Sequence, residues 1–126
     1  MITPMTAPLV LRRNDNPCRV TFVVENEDGS VKDMSGLSAK LHIRQYPGAP
    51  GDPWLEALST DVSGSRLIPS ADGIEAIFTK LEIDAMPVSG KAGEPVFPCY
   101  DLLVTEAGDE NAWFEGPVTV NRGVVP

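Results

Sequence analysis

The chain has 126 residues, 42% of them hydrophobic, with eight aromatic side chains and a formal charge of −8. That length suits one domain with a core of Val, Leu and Ile. No run approaches the roughly 20 apolar residues of a membrane helix. The acidic balance disfavours binding to phosphate backbones, so neither a nucleic acid nor a membrane is an expected partner.

The charge is uneven. Residues 1–66 carry seven Lys/Arg against eight Asp/Glu, and residues 67–126 carry three against ten. The segment MITPMTAPLVLRRN lacks the early positive charge and apolar stretch of a secretory signal. A protein kept in the compartment of its synthesis is therefore expected.

In chain order, residues 1–8 hold Pro4 and Pro8 and little pattern, and read as a flexible N-terminal arm. Residues 9–126 read as a single domain. Leu9 to Arg13 is a short strand, and Asp15-Asn16-Pro17 is turn chemistry. Cys18 to Glu25 alternates, with Val20, Phe22 and Val24 inward. Glu27-Asp28-Gly29-Ser30 is a hairpin turn. Leu37, Ala39, Leu41 and Ile43 form the inward face of the next strand; Lys40, His42 and Arg44 face outward. Residues 46–53, YPGAPGDP, cannot run through a central strand, because proline lacks the ladder donor. Trp54 to Ser59 reads as a short edge strand. A strand begins at Arg66, and Ser70-Ala71-Asp72-Gly73 turns into Ile74, Ala76 and Phe78. Thr79 to Met86 is the only helical turn, with Thr79 as cap, Glu82 three residues on, and Pro87 as stop. A loop spans residues 88–95.

The chain closes on YDLLVTEAGDENAWFEGPVTV, Tyr100 to Val120. Its period of two predicts an antiparallel hairpin around a turn at Ala107 to Asn111. Tyr100, Leu102, Val104, Ala112, Phe114, Val118 and Val120 take the inward face, while Asp101, Trp113 and Glu115 face outward. About seven to eight short strands with turn signals every 8–12 residues or so predict an all-β sandwich or barrel. An immunoglobulin-like antiparallel sandwich with one short helical turn is the fold expected.

Catalytic signatures are missing: there is one histidine and no GxSxG, HExxH, P-loop or CxxC spacing. No catalytic, cofactor-binding or metal-binding residue is assigned. Asp109-Glu110 and Glu27-Asp28 read as polar turns. Cys18 shares phase with the inward face of its strand and Cys99 with outward Asp101, which disfavours a disulfide, although a bulge at Pro98 would permit one. The interface candidates are Trp113 and Glu115 on the last strand, Trp54 and Tyr46 bracketing the Pro/Gly loop, and His42 and Arg44 on the outward strand face. An outward Trp is an efficient anchor because it covers much area with few rotatable bonds.

The order of these elements resembles a family of small tailed-bacteriophage β-domains that includes the N-terminal domain of baseplate upper proteins. The resemblance rests on RRNDNPCRVTFVVENEDGSVKDMSG, on Leu37-Ser38-Ala39-Lys40-Leu41-His42-Ile43-Arg44, and on Gly73 to Ala76. It continues in Ile83-Asp84-Ala85-Met86-Pro87, Tyr100-Asp101-Leu102 and Glu115-Gly116-Pro117-Val118-Thr119-Val120. It spans residues 9–121, and its ordered set is more specific than any one motif. The loop at 88–95 and Pro98 depart from the family's short lead into the Tyr strand. The resemblance implies a non-catalytic virion protein, assembled in the bacterial cytoplasm as a tail, baseplate or neck adaptor or a fibre-attachment component. Its partners would be other virion proteins, in a symmetric homo-oligomer or in multiple copies on a particle. Edge strands would extend a neighbour's sheet and the N-terminal arm would reach an adjacent subunit. The alternatives are a capsid decoration protein and a carbohydrate- or host-surface-binding module.

Overall fold

The computed structural model describes residues 5–12, 15–86 and 97–121. Along these the chain forms β1 (Met5–Thr6), β2 (Leu9–Arg12), β3 (Cys18–Phe22), β4 (Ser38–Arg44) and β5 (Leu55–Leu58). There follow β6 (Arg66–Ser70), β7 (Gly73–Phe78), α1 (Lys80–Ala85), β8 (Cys99–Glu106) and β9 (Asp109–Asn121). The described residues are mostly β, at 53% strand and 6% helix.

The strands form one hydrogen-bonded sheet in the order β1-β9-β8-β4-β5-β6-β7-β3, with β2 also pairing β9. The continuity has a weak seam, because β5 and β6 share a single parallel pair, Leu58 with Arg66. The sheet curls on itself. The ring of Phe22, on β3 at one end of the order, lies 5.1 Å from Phe114 on β9 and 5.8 Å from Tyr100 on β8. The core fills the inside of the curl, drawing Leu41, Ile43, Leu102 and Val104 from one end and Phe22, Leu67, Ile74 and Ala76 from the other. Alternation sets this up: along β4, Ala39, Leu41 and Ile43 are buried while Lys40, His42 and Arg44 are half-buried on the outer face.

The arm expected at residues 1–8 is in part a strand. Met5 and Thr6 pair in parallel with Phe114 and Glu115, and β2 continues along β9 from Leu9–Val118 to Arg12–Asn121. Between them the Ala7 amide donates to the Glu115 carbonyl at 2.9 Å, and the Tyr100 hydroxyl donates to the Ala7 carbonyl at 2.9 Å. The edge of β9 offers ladder groups that composition alone does not reveal. Gly116 permits the approach, since a β-carbon there would sit 2.1 Å from the Ala7 oxygen. Residues 1–4 lie outside the described residues.

The closing hairpin needs two corrections. Its turn is the two-residue Ala107-Gly108, with φ of 53° and 83°, and not the five residues from Ala107 to Asn111. Positive φ at both positions matches the right-handed twist of the flanking strands. The register also slips: Leu102 faces Phe114, but Leu103 faces Ala112. Trp113 is therefore the extra residue of a bulge, and it is buried beside Phe114. Strict alternation places Trp113 outward; the bulge reverses that, leaving its side chain only 7% exposed.

Other expectations hold at their residues. Thr79 caps α1, its side chain accepting from the Glu82 amide at 3.3 Å. The reciprocal half of the capping box is redirected, because Glu82 accepts instead from the Ser65 amide at 2.9 Å. The Thr79 amide turns to the Ser65 hydroxyl at 3.2 Å. The stretch Trp54 to Ser59 contributes β5, but it is not the edge strand expected, because it lies between β4 and β6 in the sheet. Cys18 is buried in the core and Cys99 is half-buried on the outer face; both are free thiols. Pro87 and the loop at 88–95 lie outside the described residues.

Candidate functional site

The outer face of β4, β8 and β9 carries an open depression of about 780 Å³. Pairing builds its floor. Arg44 of β4 faces Cys99 of β8, which faces Pro117 of β9; one row on, His42 faces Asp101, which faces Glu115. Pro47 and Gly48, from the loop after β4, form one wall, and Phe97 and Pro98, leading into β8, form another. Phe97 is 68% exposed.

Several polar groups of this face are tied down. His42 Nε2 lies 2.8 Å from Glu56 Oε2 across the β4–β5 pair, so this outward-facing histidine has a carboxylate partner. Arg44 Nη1 donates to the Gly51 carbonyl at 2.7 Å and the Ala49 carbonyl at 3.3 Å, anchoring the Pro/Gly loop that forms the wall. Further along the same face, Lys40 pairs with Glu110 at 3.3 Å.

Asp101 and Glu115 differ. They stand directly opposite on adjacent strands, and neither forms an ion pair among the described residues. Their charge is felt nearby. The Tyr100 phenol is pushed up to about 12 by burial first, then by Asp101 and Glu115. The Cys99 thiol is also pushed up, by burial first and then by Asp101, only partly offset by Arg44. This is the reverse of the electropositive setting that activates a cysteine nucleophile. Among the described residues, no hydrogen bond joins Cys99 to His42, and no three His, Cys, Asp or Glu side chains are grouped to hold a metal ion.

Of the six residues singled out in the sequence, the depression brings together His42, Arg44 and Glu115. Trp54 is half-buried against the core, its amide donating to the Ile43 carbonyl at 2.7 Å. Tyr46 is half-buried, and its carbonyl accepts from the Ala49 amide at 3.1 Å, closing the loop turn. Trp113, proposed as an outward anchor, lies inside the molecule with Lys32 Nζ 5.8 Å from its ring centroid. Its indole N–H finds no hydrogen-bond partner among the described residues. Sequence reasoning missed Cys99, Asp101, Phe97 and Pro117 as members of the site. The outward phase of Cys99 and Asp101 was readable, but the cross-strand register that sets them beside Arg44 and His42 was not.

No family model matches the chain, and no curated protein matches it. No described helix is long and apolar enough to cross a membrane.

Proposed function

We propose that this chain is a non-catalytic structural protein of a tailed-bacteriophage virion, an adaptor or fibre-attachment component of the tail, baseplate or neck that works through protein–protein contacts. The finer fold in this reading is an immunoglobulin-like sandwich. Its two layers would be β1, β9, β8, β4 and β5 on one side and β6, β7 and β3 on the other, a division supported by the thin join of β5 to β6 at the single Leu58–Arg66 pair.

The observation that carries the contact reading is the outer face of β4, β8 and β9. It is a concave surface with apolar walls whose thiol is held in its unreactive form and whose histidine is occupied by Glu56. Such a surface is suited to binding, and a thiol pushed up in this way is ill suited to nucleophilic attack. The virion setting is supported by the ordered resemblance across residues 9–121, whose pieces fall in sequence on β2, β3, β4, β7, α1, β8 and β9. The test is mass spectrometry and gold labelling of tailed particles purified from a host that carries the gene. The chain is expected as a stoichiometric component, labelled at the tail, baseplate or neck. A chain that stays free in the lysate and never joins particles overturns the reading; label on the head turns it into capsid decoration.

A further inference from the structure

We propose that the depression receives an extended segment of a neighbouring protein in which a Lys or Arg is flanked by apolar residues, with the cation seated between Asp101 and Glu115. This rests on the contact reading above.

Like charges directly opposite on paired strands destabilise a sheet. Three other strand carboxylates meet cations: Glu75 meets Arg19 at 3.2 Å, Glu106 meets Lys32 at 3.1 Å, and Glu110 meets Lys40 at 3.3 Å. Asp101 and Glu115 oppose each other without such a partner among the described residues, and they do so on the floor of the depression. Arg44 lines the same space, but its Nη1 is aimed at the carbonyls of Ala49 and Gly51. Among the described residues, the site therefore offers two carboxylates that no cation meets. The walls are chemically different from the floor. Phe97 and two prolines, Pro47 and Pro98, offer apolar surface without side-chain donors. An Arg or Lys suits both, since its stem covers apolar surface while its head keeps the charge. At about 780 Å³ the space falls in the range of ligand clefts, roughly 300–1,000 Å³, which admits a few residues of extended chain and not a folded domain. The excess of acid over base in residues 67–126 steers a cationic segment toward this half of the molecule.

The test is selection of a displayed random heptapeptide library on the purified, immobilised chain, followed by fluorescence anisotropy with the selected peptide. Lys or Arg is expected at one fixed position, with apolar neighbours. The D101N/E115Q double variant is expected to lose about ten-fold in affinity, as two modest ion pairs together would supply. Phe97→Ser weakens binding, and Glu110→Gln, on the same hairpin but outside the depression, leaves it within about two-fold. Circular dichroism verifies that each variant is folded. For the unmodified protein, affinity is expected to fall as NaCl rises from about 50 to 500 mM, because exposed charges are screened over that range.

No enriched sequence, an enriched acidic sequence, full binding by the folded double variant, or salt-independent binding overturns the proposal. A chain present in particles that shows no cationic preference overturns this inference alone. A chain that selects cationic segments yet is absent from particles overturns the virion reading and leaves this one standing.

Discussion

On the outer face of β3 and β7, pairing runs unbroken from Cys18–Phe78 to Phe22–Ile74, and Arg19 reaches Glu75 at 3.2 Å across the two strands. On the outer face of β8 and β9, the register slips between Leu102 and Leu103, and Asp101 faces Glu115. The first region obeys the local rules for a stable sheet. The second departs from them twice within a few residues, beside the depression. Departures from local consistency concentrate where function has a claim on the residues. That is the reason to look for a partner on β8 and β9 and not on β3 and β7.

The largest test of the contrast is Trp113→Ala. If the bulge exists to bury the indole, removing it costs about 3–5 kcal/mol, read as a lowered midpoint in urea unfolding. A loss under 1 kcal/mol would mean that Trp113 is not core. Next is Gly116→Ala, whose new methyl meets the Ala7 carbonyl. It is expected to cost roughly 1–3 kcal/mol by overpacking and to raise hydrogen exchange at the amides of β1, while those of β3 stay protected.

Tyr100→Phe removes the hydrogen bond to Ala7 and should cost about 1–2 kcal/mol. The same phenol gives a pH test. Its folded value of about 12 lies above the ordinary value of about 10. The folded state thus retains a proton that the unfolded state has released, and stability falls as pH rises from about 10 to 12. Absorbance titration of the folded protein should show late ionisation of Tyr100, and Asp101→Asn should bring it earlier.

The smallest effects carry the charge comparison itself. Asp101→Asn relieves a like-charge pair and is expected to raise stability by a few tenths of a kcal/mol. Glu75→Gln breaks an exposed ion pair and is expected to lower it by about 0.2–1 kcal/mol. Equal signs in thermal melts would erase the distinction between the two faces.

Much of the fold could be read from side-chain phase. Ala39, Leu41 and Ile43 alternate with Lys40, His42 and Arg44, and period two suffices to place them. The Thr79 cap was legible because its partner, Glu82, lies three residues away. What failed was non-local. Whether residues 5–8 wander or pair depends on an open edge more than 100 positions later. The phase of Trp113 depends on one unpaired residue, and nothing in WFEGP marks it as a bulge; the slip emerges only from the partner strand. The site suffered likewise. His42, Arg44 and Glu115 were singled out separately, but their union with Cys99 and Asp101 is a matter of register between strands whose separation in sequence is large.

The parallel run of β1 and β2 along β9 also sets how the molecule bears load. Two paired positions come from β1 and four from β2, all in parallel with one strand. A pull that draws residue 5 backward and residue 121 forward slides these strands past each other along their length. Their hydrogen bonds then resist together in shear instead of opening one by one like a zipper. A domain strung between two neighbours by its ends would meet tension with its strongest geometry, and yielding at that pair would also draw the buried Leu9 and Leu11 out of the core.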